Sequence, residues 1–208
     1  MIVSGAISVA VREGLEAVTI RRLAQDHGVT PMAMYWHFSD KDSLLDGMAE
    51  HLFTAVKLPE PTGGEWDDEL CAVLGAFLEG LRPHPAVAVL ALTRILASEP
   101  GLAIAERVLK LLRDAGFPPE KTAEIGSFLL SSIITLVTSE PGPDRLLDDD
   151  ARNAAVRAKQ ATLAALDPQR YPNVIAAAPG LSWCKSTEAY YAMGIDVLVQ
   201  GIRGLRPL

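Results

Sequence analysis

Residues 19–45 read Thr19-Ile20-Arg21-Arg22-Leu23-Ala24-Gln25-Asp26-His27-Gly28-Val29-Thr30-Pro31-Met32-Ala33-Met34-Tyr35-Trp36-His37-Phe38-Ser39-Asp40-Lys41-Asp42-Ser43-Leu44-Leu45. Thr19 suits an N-cap, Ile20, Leu23 and Ala24 form an apolar stripe at i, i+3 and i+4, and Gly28 is placed to stop a helix of two turns. Thr30 caps a second short helix, running to about His37, with Pro31 at its first position, where the missing N–H is no loss. Ser39-Asp40-Lys41-Asp42 reads as a capping-box-like start, and Leu44, Leu45, Met48, Ala49, Leu52 and Val56 make the stripe of a long amphipathic helix behind it. His27-Gly28-Val29 is then a three-residue bend between two short helices, the physical description of a helix-turn-helix. Spacing alone fits any small helical bundle equally well.

Upstream, Ile2, Ala6, Ile7, Val9 and Ala10 predict a supporting helix over 2–14, ended by Gly14. Downstream, Pro59, Pro61, Gly63 and Gly64 break the pattern, which divides the chain into a small domain over 1–58 and a larger one over 59–208. In the larger part, Trp66 to Leu81 carries a broad apolar face. Val87 to Leu96 is apolar on nearly every side and predicts one central helix buried in a bundle. Further helices are expected over 102–112, 122–137, 151–166 and about 183–204, with Tyr171-Pro172 and Pro179-Gly180 in an irregular connection before the last. Nothing alternates with period two, so the fold class is all-α.

Composition narrows the function. The 208 residues, 49% hydrophobic, suffice for a real core, and charged residues interrupt every apolar stretch within about 18 residues, too short to cross a bilayer. The N-terminus lacks the features of a secretory signal, so the expected location is cytoplasmic, with Cys71 and Cys184 as free thiols. No Ser-His-Asp set, glycine-rich phosphate loop or metal-spaced cluster is present, which argues against an enzyme and against any cofactor or metal. Asp148-Asp149-Asp150 reads as a solvated acidic loop. The net charge is −7, and residues 1–58 hold five basic side chains against seven acidic ones. Any hold on a phosphate backbone must therefore rest on the placement of charges and on helix N-termini.

Thr19-Ile20-Arg21-Arg22-Leu23-Ala24, Gly28-Val29-Thr30-Pro31, Tyr35-Trp36-His37-Phe38 and Lys41-Asp42-Ser43-Leu44-Leu45 together resemble the N-terminal signature of the TetR family. Tyr191-Ala192-Met193-Gly194-Ile195-Asp196-Val197-Leu198-Val199-Gln200-Gly201-Ile202 is similar to the last helix of the branch that includes the tetracycline repressor. The resemblance is tight over 15–55 and looser beyond. It implies a ligand-responsive regulator, a repressor above all: an N-terminal helix-turn-helix that binds a pseudo-palindromic double-stranded DNA operator, and a C-terminal domain for a small organic effector and for homodimerisation.

By that resemblance Thr30, Pro31, Met32 and Ala33 face base edges. Thr19, Arg21 or Arg22, Tyr35, His37 and Lys41 contact phosphates, and Trp36 divides between packing and backbone contact. Met34 and Phe38 read as core and His27 as a surface neighbour of the helix end. Relatives carry a basic extension before the first helix, whereas here the first helix starts almost at once; an upstream basic segment would steepen the salt dependence of binding. The helices near 122–138 and 184–204 would pair with their partner copies, where Gly194 and Gly201 fit a close crossing. Phe77, Leu81, Leu92, Ile95, Leu96, Leu109, Phe128 and Thr135 would surround a pocket, with His84, Arg94 or Ser132 as polar anchors, and the linking helix would act as lever through Leu52, Phe53 and Val56. The tetracycline repressor fixes the drug's magnesium through a central histidine; Leu90-Ala91-Leu92-Thr93-Arg94 has none, which implies an apolar or weakly polar ligand without metal. The acidic N-terminal part keeps one alternative open, a dimer of the same fold that has lost DNA binding and acts through protein contacts.

Overall fold

The computed structural model describes residues 2–139, 148–183 and 186–206. Among them every regular element is helical. α1 (Ile2–Glu13) buries Ala6, Ile7, Val9 and Ala10, and ends at Gly14, whose φ of 89° a side chain would resist. A 3-10 turn over Leu15–Ala17 leads to α2 (Ile20–Asp26). The Thr19 side chain accepts from the Arg22 N–H, and Gly28, at φ 64°, turns the chain out of α2. α3 (Pro31–Tyr35) is a single turn and a half, capped by the Thr30 side chain, which accepts from the Ala33 N–H. α4 (Lys41–Thr54) starts with a reciprocal capping box between Asp40 and Ser43 and buries Leu44, Met48, Ala49, Leu52 and Phe53.

α5 (Trp66–Leu81), α8 (Glu99–Asp114) and α9 (Pro119–Thr138) build the larger core around Leu70, Leu78, Leu81, Leu112, Leu129 and Ile133. Between α5 and α8 the expected central helix is broken into α6 (Pro85–Ala88), α7 (Ala91–Arg94) and a 3-10 turn over Ile95–Ala97. The axis then bends by 83° into α8. Ser98 is extended and caps α8, and Pro100 in its first turn has no N–H to give and would clash with the carbonyl four residues earlier in a continuous helix, so the two segments cannot merge. Val89, Leu92 and Leu96 are exposed rather than enclosed.

Residues 1–138 and 194–208 form one compact unit, and 139–193 a second. The expected division at residue 58 falls inside the first, because α1 meets α6, and α4 packs on α5, α6 and α8. The second unit holds α10 (Asp149–Ala164) and α11 (Pro172–Ser182), which pack on each other. The stretch around Pro179, expected to be irregular, is helical, since proline removes only one helix hydrogen bond and the flanking alanines favour helix. Trp183 closes α11, and the last helix, α12, runs Thr187–Gly204. Gly194 is a site of close approach within the chain itself: a Cβ there would lie 2.8 Å from a Leu136 methyl of α9, while nothing lies within 4 Å at Gly201. The expectation for Cys184 falls outside the described residues. No single helix among the described residues is long and apolar enough to cross a membrane.

One carboxylate straps the linker to the core. Glu69 Oε1 accepts from the Thr62 N–H at 2.9 Å, the Thr62 hydroxyl at 3.1 Å and the Gly63 N–H at 2.8 Å, while Oε2 pairs with Arg107. Burial pushes the Glu69 pKa up, but these hydrogen bonds and the Arg107 charge outweigh it and hold the group below its ordinary 4.5. A lowered folded-state value means that Glu69 adds stability above the ordinary range and loses it as pH falls through the lowered one. Thermal midpoints of wild type and Glu69→Gln should accordingly differ at neutral pH and converge in acid.

Candidate functional site

The surface around α3 is built from a helix too short to hold itself. Met34 alone of its five side chains is buried; Pro31, Met32, Ala33 and Tyr35 face solvent, followed by Trp36 and His37. Met32 is 69% exposed and Trp36 86%. Trp36 therefore has no packing role within the chain. Phe38 is half-buried, with its ring edge 3.0 Å from where a Cβ on Gly47 of α4 would stand. His27 is half-buried and lies across Gly5 of α1. Thr19 and Thr30 are exposed; each hydroxyl oxygen accepts a backbone N–H as a cap, leaving its own proton free to donate outward.

The three cations nearby differ in their engagement. Arg21 is exposed, with no ion pair among the described residues. Lys41 lies 3.8 Å from the fully exposed Glu16 carboxylate, a contact easily exchanged for another anion. Arg22 is bound to Glu13 and Asp26 together.

A cavity of about 190 Å³ lies between α5, the Ile95–Ala97 turn, α8 and α9. Of the expected pocket residues, Phe77, Ile95, Leu96 and Leu109 line it. The sequence reading did not reach Leu74, Ile104, Ala105, Val108, Ala123, Gly126, Ser127, Leu129 and Leu130, which complete the wall. Ser127 is the one polar side chain among them. Leu81 is fully buried core, Leu92 is exposed, and His84 sits at the start of α6, its pKa held down by burial and by the charge of His51.

α9 presents the cavity with the stripe Ala123, Gly126, Ser127 and Leu130, spaced i, i+3, i+4, i+7. Phe128, Ser132 and Thr135 lie on another stripe. Phe128 is 60% exposed, and the hydroxyls of Ser132 and Thr135 donate back to the carbonyls of Phe128 and Ser131. Periodicity marks such stripes without saying which faces a cavity. The smallness of Gly126 and Ser127, readable as a close helix crossing, was the available signal: a Cβ on Gly126 would meet only Leu109 Cδ2, at 3.1 Å.

Arg94, expected as a ligand anchor, turns away from the cavity. Its side chain is only 18% exposed, donates to Asp42 Oδ1 at 3.0 Å and pairs with Asp46, one turn further along α4. Burial disfavours its charge, but the two carboxylates outweigh that and raise its pKa. The next two residues, Ile95 and Leu96, are cavity wall. No three His, Cys, Asp or Glu side chains among the described residues gather as a metal site, and Asp148 is the N-cap of α10, accepting from the Ala151 N–H at 2.8 Å.

Comparison with known proteins bears on both regions. The profile of the bacterial regulatory proteins of the tetR family matches residues 2–48, and that of the tetracyclin repressor-like C-terminal domain matches residues 58–206. An HTH-type transcriptional regulator of Saccharopolyspora erythraea is 31% identical over 204 residues, covering 97% of this chain and 82% of its own. In fold, the chain is similar to the TetR family protein ActR of Streptomyces coelicolor in complex with actinorhodin, with a TM-score of 0.79 at 23% identity over 100% of this chain and 97% of that one. It is also similar to BioQ with its double-stranded DNA operator, with a TM-score of 0.57 at 25% identity over 67% of this chain and 84% of that one.

Proposed function

The chain belongs to the tetR family of bacterial regulatory proteins, and we propose that it is a dimeric repressor released from a pseudo-palindromic operator by an apolar or weakly polar organic effector. It is a helix-turn-helix transcriptional regulator with a ligand-binding C-terminal domain, not an enzyme. In this reading residues 1–58 hold DNA and 59–208 hold effector and partner. Pro31, Met32, Ala33 and Thr30 meet bases; Thr19, Arg21, Tyr35, Trp36, His37 and Lys41 meet the backbone. Exposed Phe128 on α9 and Val197 on α12 are the kind of surface a second copy would cover.

The observation that carries the reading is the double contact of one short segment. Arg94 grips α4, and its neighbours Ile95 and Leu96 wall the cavity. An effector that displaces the wall moves the anchor of α4 and, with it, the spacing of the two recognition helices; effector and operator then weaken each other by the same factor. The acidic balance of residues 1–58 favours the second reading, a dimer acting through protein contacts.

Selection from a random duplex pool separates the two. The repressor reading expects enrichment of a pseudo-palindrome whose binding weakens with salt and changes Trp36 fluorescence, a change lost in Trp36→Phe. If no duplex is enriched, DNA binding by this chain is refuted.

A further inference from the structure

Arg22 sits in the first turn of α2 and is the most heavily engaged side chain of the N-terminal region. Its Nη1 and Nη2 donate to Glu13 Oε2 and Oε1 at 2.8 and 2.7 Å, and its Nε donates to Asp26 Oδ1 and Oδ2 at 3.0 and 3.1 Å. Glu13 is the last residue of α1 and Asp26 the last of α2. One planar guanidinium thus ties the end of α1 to both ends of α2. The chain between the two helices is Gly14, in the left-handed region, a 3-10 turn that buries none of its own side chains, then the fully buried Val18 and the cap Thr19. Val18 pins this connection at one point on the core side, and the Arg22 ties hold α2 against α1 at the surface.

We propose that Arg22 is a positioning residue, which fixes α2 against α1 so that α3 is presented in one orientation, and that Arg21 is the cation of α2 that neutralises a DNA phosphate. The inference rests on the DNA-binding reading. Charge supports it. Arg22 with its two carboxylates is net negative, so a phosphate approaching the group meets repulsion, whereas Arg21 next to it has no ion pair among the described residues. Ion pairs as open as these add little to stability, so the value of the arrangement is geometric.

Salt dependence distinguishes a cation that touches phosphate from one that holds a helix in place. Each phosphate neutralised contributes about 0.9 to the slope of log K against log salt, so a cation used by both subunits contributes about 1.8. The full chain and its selected operator are titrated at several salt concentrations as wild type, Arg21→Gln, Arg22→Gln and Glu13→Gln, after thermal unfolding confirms that each variant is folded. Arg21→Gln should lower the slope by about 1.8. Arg22→Gln should weaken binding at every salt concentration with the wild-type slope. Glu13→Gln should also weaken binding, although it removes a negative charge, because it releases the tie. A slope lowered by Arg22→Gln, or tighter binding by Glu13→Gln, would overturn the assignment. Should wild type select no operator, the DNA-binding reading fails first and takes this inference with it.

Discussion

Gly101→Ala lowers the thermal midpoint by about 6–12 °C. Gly101 lies in the first turn of α8, and a Cβ there would land on the carbonyl oxygen of Ile95, 2.9 Å from its carbonyl carbon and 3.1 Å from Phe53 Cδ2. A flexible side chain could rotate away; a backbone carbonyl moves only if the Ile95–Ala97 turn moves. Overpacking of this kind costs about 3 kcal/mol at the upper end of its usual range. For a chain of this length, each kcal/mol is worth about 2–4 °C. Differential scanning calorimetry checks the figure, and an unchanged midpoint would mean that α8 and the turn do not approach as closely as described. The same substitution should alter operator affinity, because the turn it displaces continues from Arg94 and its grip on Asp42 and Asp46.

Gly126→Leu, in contrast, should leave the protein folded and empty its cavity of use. Leucine favours helix over glycine by about 0.8 kcal/mol, which offsets the pressure of the new side chain on Leu109. The side chain then occupies space that a ligand needs. With Nile red as an uncharged fluorescent probe, Gly126→Leu should weaken binding at least about tenfold, equivalent to 1.4 kcal/mol. Ser127→Ala removes the one polar group of the wall and should cost an oxygen-bearing ligand about 0.5–1.5 kcal/mol, a smaller loss. Wild-type affinity in Gly126→Leu would place the probe elsewhere.

What could be read from sequence was what chemistry writes locally. The caps Thr19 and Thr30, the capping-box-like start over 39–42, the stops at Gly14 and Gly28, and the stripes of α1, α2 and α4 each lie within a few residues of what they determine; the structure has them, with the box closed between Asp40 and Ser43 and Val56 beyond the end of α4. Long-range choices were not legible. Whether Arg94 turns to a ligand or to α4 depends on carboxylates 48 and 52 residues earlier. Which stripe of α9 faces the cavity depends on α8, which presents Val108 and Leu109 there. The apolar run 87–96 carries no sign of its own breaks at 89–90 and after Arg94, and the bend into α8 is set by Ser98 and Pro100 just beyond it.

A molecule suited to a chamber of hydrocarbon with a single hydroxyl is one that dissolves in lipid, because polar groups without partners there are penalised. Such a molecule diffuses through a cell envelope without a carrier, so its internal concentration follows the external one unless the cell pumps it out or alters it chemically. Attaching a charged group would trap the compound on one side of the membrane and expel it from the cavity at the same time. In the reading proposed above, such a regulator responds to the diffusible form of its compound and returns to its operator once that form has been converted.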